Sequence, residues 1–209
     1  MIIRKFVPLA IAAAVSLFSA TSAIAGPAWE FTSSSNTFSN GNWDFGTFFR
    51  ANTNLVVTGL GYYADPVTTQ ANNNQVGLFD SVGNLLASAT VDNTYALFGH
   101  FRYVTIAPVS LTAGQTYQVS GVSHINNYTW NDSGFPTDPD ISYLGNTWAV
   151  DTDSAPTFLN YYKNDVADGY WGPNLFINTR DFTGEVPEPG SLALLGLAFA
   201  GLAAARRRK

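Results

Sequence analysis

The chain has 209 residues, a formal net charge of −5 and no cysteine. A negative surface repels phosphate backbones, which argues against nucleic acid as a partner. Without cysteine there is no disulfide, thiol nucleophile, zinc–thiolate site or iron–sulfur cluster, so any core is held by packing alone.

The chain opens as a secretory signal peptide over residues 1–25. Arg4 and Lys5 form a cationic start and the residues from Phe6 to Phe18 an apolar stretch. Ala23-Ile24-Ala25 is a small-x-small cleavage site, which leaves Gly26 as the mature N-terminus. Residues 26–185 then form one domain, a length that suits a sizeable core. Its only cations are Arg50, Arg102, Lys163 and Arg180, against fourteen acidic residues.

Trp29, Phe31, Phe38, Trp43, Phe45, Phe48 and Phe49 alternate with polar residues over 26–50, a pattern that predicts short strands joined by turns. Residues 55–63 predict a longer strand, in which Gly59 and Gly61 mark a bulge or a close approach. Two apolar runs flank Asp80-Ser-Val-Gly-Asn84 and predict a hairpin, with Gly83 and Asn84 supplying positive φ. A strand over 101–109 follows. Leu111-Thr-Ala-Gly-Gln-Thr-Tyr117 then has the form of a tyrosine corner leading into a strand over 117–122. Residues 126–174 read as the least regular part, and 174–178 as a closing strand.

No segment between the termini carries helical periodicity, and turn signals recur every 8–12 residues. The fold class is therefore all-β, an antiparallel β-sandwich of jelly-roll-like type. Val76-Gly-Leu-Phe-Asp80, Gly83-Asn-Leu-Leu-Ala87 and the 111–117 stretch resemble those of poorly characterised extracellular β-sandwich modules of bacteria. That resemblance supports the fold and implies no chemistry.

No enzyme motif stands out, and a non-enzymatic protein is the expectation. The only histidines are His100 and His124, and there is no G-x-S-x-G sequence. Asp132, Asp138, Asp140, Asp151 and Asp153 offer carboxylates for glycoside hydrolysis, but nothing selects a pair. Asp138, Asp140, Asp151 and Asp153 also suit calcium, a hard cation that takes carboxylate and carbonyl oxygens; the other reading is a solvated acidic loop. No other cofactor is implied. Tyr128, Trp130, Trp148 and Trp171, with Asn131, are candidates for stacking on sugar rings beside amide hydrogen bonds. The other reading, which the large burial of aromatic rings favours, is that most of these rings fill the sandwich core.

The C-terminal stretch, residues 186–209, is of another kind. Pro187-Glu188-Pro189 breaks regular structure, Ser191–Ala205 is an uncharged apolar run, and Arg206, Arg207, Arg208 and Lys209 end the sequence. Fifteen helical residues rise ~22 Å, short of a hydrocarbon core of ~30 Å. The terminal cations form a membrane stop that stays cytoplasmic, placing the domain outside. In sequence and order these three parts resemble the PEP-CTERM sorting signal of Gram-negative bacteria. The resemblance implies an exosortase as processing partner, a membrane stage through the C-terminal helix at the inner membrane, and final residence at the cell surface or in the extracellular matrix. The signal is an address and says nothing direct of what residues 26–185 do; for them the expectation is a non-enzymatic protein associated with exopolysaccharide and biofilm, with a carbohydrate-binding module as the alternative and an extracellular hydrolase as a third reading.

Overall fold

The computed structural model of the chain describes residues 26–31, 37–64, 73–124, 126, 128–130, 135–160 and 170–177. The expected signal peptide with Ala23 and Ala25 lies outside the described residues. So do Pro187, Glu188 and Pro189, the apolar helix, and Arg206–Lys209. Among the described residues no helix is long and apolar enough to cross a membrane.

Every regular element described is a strand: β1 (Gly26–Pro27), β2 (Thr37–Phe38), β3 (Trp43–Ala51), β4 (Leu55–Tyr63), β5 (Asn74–Asp80), β6 (Leu85–Val91), β7 (Leu97–Phe98), β8 (Phe101–Leu111), β9 (Thr116–Val122), β10 (Tyr128–Trp130), β11 (Ile141–Val150), β12 (Tyr170–Trp171) and β13 (Pro173–Ile177). They pair antiparallel in two five-stranded sheets, β1-β13-β4-β8-β7 and β11-β3-β9-β5-β6, with a small third sheet β12-β10-β2. Without β7 and β11, each large sheet keeps four strands in the interleaved order of a jelly roll. β11 is an extra strand outside β3. The sandwich is thus the expected one.

Period-2 alternation fills the space between the sheets. On β3, Phe45, Thr47, Phe49 and Ala51 share the inward face and are buried. From the opposite sheet come Val57, Leu60, Leu175 and Ile177, and from β5 and β9 come Val76, Leu78 and Val119, all fully buried. Each large apolar side chain so enclosed contributes ~1.5–3 kcal/mol. Beyond them lies an aromatic block: Trp29 and Trp171 are 5.8 Å apart, and Phe135 sits 4.4 Å from Trp171.

β4 occupies the range expected of it. Its glycines do both things anticipated: the register shifts between Val57 and Gly59, and a side chain at Gly61 would collide with the Tyr103 ring. The β5–β6 hairpin also forms, but only Gly83 takes positive φ (+92°). Asn84 instead donates to Asp80 from its backbone N–H (2.9 Å) and its Nδ2 (2.7 Å), while Val82 N–H reaches the same carboxylate at 3.0 Å.

Two expectations change. Residues 43–51 are one nine-residue strand rather than several short pieces. The segment read as irregular contains ten-residue β11, paired with β3 along its whole length. Its pattern was hidden because Leu144 is an extra residue at a bulge between Tyr143 and Gly145. Inward positions therefore run 141, 143, then 146 and 148, which breaks simple alternation.

Candidate functional site

At one end of β3 the inward face is covered by the small sheet instead of by the opposite large one. Alternation puts Trp43 and Phe45 on this face, and the β11 register sets Trp148 directly opposite Phe45. β10 brings Tyr128 over them, with its ring 4.6 Å from Phe45 and stacked on Phe38 at 5.6 Å. Trp43 and Trp148 meet edge to face at 5.2 Å and 89°. Both indoles are half-buried. The result is an open cleft of about 220 Å³ lined by Asn40, Trp43, Phe45, Tyr128 and Trp148.

Asn40 is the polar rim of this cleft. Its Oδ1 accepts the Trp43 indole N–H (3.2 Å) and the Tyr128 hydroxyl (2.9 Å), fixing both rings in place. Buried polar groups steady the chain behind them. Ser123 N–H donates to the Trp43 carbonyl (2.7 Å), and Trp43 N–H donates to Ser123 Oγ (2.9 Å). The Asn74 amide donates to the carbonyls of Val122 (2.8 Å) and Ser123 (3.1 Å). A cleft of rings held by such a frame is pre-organised, as a ligand site of apolar walls and few polar groups requires.

Of the four expected sugar-stacking residues, Tyr128 and Trp148 come together here. Trp130 is placed by its backbone in β10 next to this cleft, and Asn131 lies outside the described residues. Trp171 is a correction. It is fully buried among Trp29, Phe31, Phe135 and Tyr143, so no ring face is left for a ligand. Trp43, Phe45 and Asn40 were not among the candidates, although the x-Trp-x-Phe alternation of β3 places both rings on one face.

The expected calcium set does not assemble. Asp138 and Asp140 precede β11, whereas Asp151 and Asp153 follow it. Ten extended residues separate the pairs by roughly 33 Å. Each pair organises its own turn: Asp138 Oδ1 accepts Asp140 N–H (2.9 Å), Asp151 Oδ1 accepts Ser154 N–H (2.9 Å), and Asp153 Oδ1 accepts Ala155 N–H (3.1 Å). Asp132 lies outside the described residues. Among those described, no three His, Asp or Glu side chains are grouped to hold a metal ion.

A buried carboxylate appears where none was expected. Asp44 faces the outside of its sheet but is 3% exposed, because the segment 151–160 crosses over it. Ser120 Oγ donates to its Oδ1 (2.5 Å) and Thr157 N–H to its Oδ2 (2.6 Å). Burial pushes the carboxyl up to about 6 despite these bonds, with nearby Asp151 adding to the rise. Gln118 grips the same crossing segment twice, Leu159 N–H donating to Oε1 (2.9 Å) and Nε2 donating to the Leu159 carbonyl (2.8 Å). The histidines serve local structure: His100 Nδ1 lies 2.8 Å from Glu30 Oε1, and His124 Nε2 lies 3.1 Å from the Asn73 carbonyl.

Comparison with known proteins gives two matches. A family model described as Domain of unknown function (DUF4082) covers residues 31–152. A second, described as PEP-CTERM protein-sorting motif, covers residues 185–209. No curated protein matches the chain. All five residues lining the aromatic cleft fall within the first match, but β13, an interior strand of its sheet, falls outside it. The folded unit therefore runs on to Ile177.

Proposed function

We infer function from a plain premise: the chain belongs to the DUF4082 family, whose model covers more than half of it, and it carries a PEP-CTERM sorting motif. The motif marks an exported protein processed by exosortase. We propose that the sandwich it delivers is a non-catalytic module that stays with the extracellular polymer layer and holds polysaccharide through the Trp43–Trp148 cleft. After a membrane stage during processing, the protein resides at the cell surface or in the matrix, associated with exopolysaccharide and biofilm.

One observation carries this reading. Two half-buried indoles stand at right angles beside Tyr128, and a rim amide fixes Trp43 and Tyr128 in place. Indole faces suit the C–H faces of pyranose rings, and a fixed amide supplies direction. The cleft is also clear of the described cations: Arg50 lies far along β3, and Arg102 is on β8.

Co-sedimentation of the purified chain with insoluble polysaccharide tests the proposal. Binding that disappears in Trp43→Ala/Trp148→Ala, with the melting curve preserved, supports it. Binding unchanged in that variant, or none at all, refutes it. New reducing ends in the same mixture would make the protein a hydrolase instead.

A further inference from the structure

The rung next to the cleft, on the same face of the same two strands, is Thr47 opposite Asn146. Both residues are fully buried. Asn146 Oδ1, Asn146 Nδ2 and Thr47 Oγ1 all lack a hydrogen-bond partner. Buried polar groups are nearly always paired, so three unpaired atoms on one rung need an explanation. Elsewhere such atoms lie one to a residue, as at Tyr62 Oη, Trp29 Nε1, Arg102 Nε and Thr147 Oγ1. Among the described residues, only this rung concentrates a donor and two acceptors beside a surface cleft.

An apolar rung would fill this place without leaving polar atoms unsatisfied, and Phe45 opposite Trp148 shows that β3 and β11 accept one a step away. We propose that Asn146 and Thr47 are the hydrogen-bonding end of the saccharide site, and that its ligand is a neutral hexopyranose chain. This rests on the saccharide reading above. An amide and a hydroxyl together both donate to and accept from a pair of sugar hydroxyls. Neither carries charge, and the net charge of the chain is negative, which disfavours uronic acids and sulfated sugars. The Phe45–Trp148 rung separates this rung from the strand ends at the cleft, so a sugar stacked on the half-buried Trp148 indole reaches Asn146 past its edge.

The test uses the purified chain and tryptophan-fluorescence titration with neutral hexaoses of glucose, galactose, mannose and N-acetylglucosamine, and with a galacturonate hexaose. The expected result is binding of a neutral hexaose and none of the galacturonate. Thr47→Val and Asn146→Leu keep the side-chain volume and remove the polar atoms. Each is expected to weaken binding by about tenfold or more, the loss of roughly one hydrogen bond to a buried group, while the melting temperature stays level or rises. A purely structural role would not raise stability and lower affinity together. If Trp43→Ala/Trp148→Ala abolishes binding but Thr47→Val binds like wild type, the rung is no part of the site and the saccharide reading survives. If wild type binds none of the hexaoses, both fall; if it binds the galacturonate alone, the neutral-ligand inference falls and the saccharide reading survives. Thr47→Val carries the test should Asn146→Leu fail to fold.

Discussion

The Tyr117 hydroxyl accepts the backbone N–H of Thr112 at 2.9 Å, closing the turn between β8 and β9. Tyr117 is 7% exposed and stacks on Phe49 at 5.8 Å, so the ring is core while its tip ties down a loop. Tyr117→Phe keeps the ring and strands the Thr112 donor. A destabilisation of about 1 kcal/mol is expected in urea unfolding, with an unchanged m-value.

The Asp44 carboxyl sets a pH dependence of unusual sign. Its value in the folded protein is raised to about 6 from 3.8, so the native state holds that proton more tightly than the unfolded chain does. The group's contribution to stability is complete below pH 3.8 and is lost as pH rises through 6. A shift of this size corresponds to roughly 3 kcal/mol between acid and neutral pH. Asp44→Asn should melt higher than wild type at pH 7, and the gap should close by pH 4. The difference between the two proteins, measured by calorimetry over that range, removes the opposite trend from Asp80 and Asp92, whose carboxyls are held low by their own turns. A gap that does not vary with pH would contradict the assignment.

Gln118 holds the crossing segment by copying a strand's paired bonds with its side chain. Gln118→Leu fits the space but removes both bonds and strands two backbone groups of Leu159. Hydrogen exchange over residues 151–160 should accelerate by tenfold or more, at a cost of about 1–3 kcal/mol, with β4 and β13 unaffected. Uniform acceleration across the whole domain would show that the segment is integral to the sandwich.

Processing depends on the Pro187-Glu188-Pro189 sequence if exosortase reads it. Replacement by three alanines leaves the apolar run and the terminal cations intact. An uncleaved precursor is expected to accumulate in the membrane fraction, detected by intact mass. Normal maturation of that variant would mean that apolar length and charge suffice.

The legible parts of the sequence were those whose causes are local. Gly83 needs positive φ, Tyr117 reaches back five residues, and residues 55–63 carry a β-branched run, so each could be placed without knowing its surroundings. β11 was hidden by one inserted residue, Leu144, which changes the phase of its pattern. The site was harder to see for a different reason. Trp148 and Trp171 look alike in sequence, yet one stands at a cleft and the other is sealed in the core. The difference lies in which sheet covers them, a long-range fact. Asp44 likewise sits between Trp43 and Phe45 with nothing nearby to announce its burial, which comes from a segment more than a hundred residues later.

The pairing of Gly26 with Ile177 has a mechanical consequence. The first described residue and the last are neighbours on adjacent strands, so the described domain begins and ends at one point. A pull applied at Ile177 enters the domain through β13. That strand is flanked by β1 and β4, so a pull along it loads ladders on both sides in shear, the geometry in which hydrogen bonds share force instead of parting one by one. The C-terminal end of the described domain is thus built into the sheet interior, where a pull on the chain is best resisted.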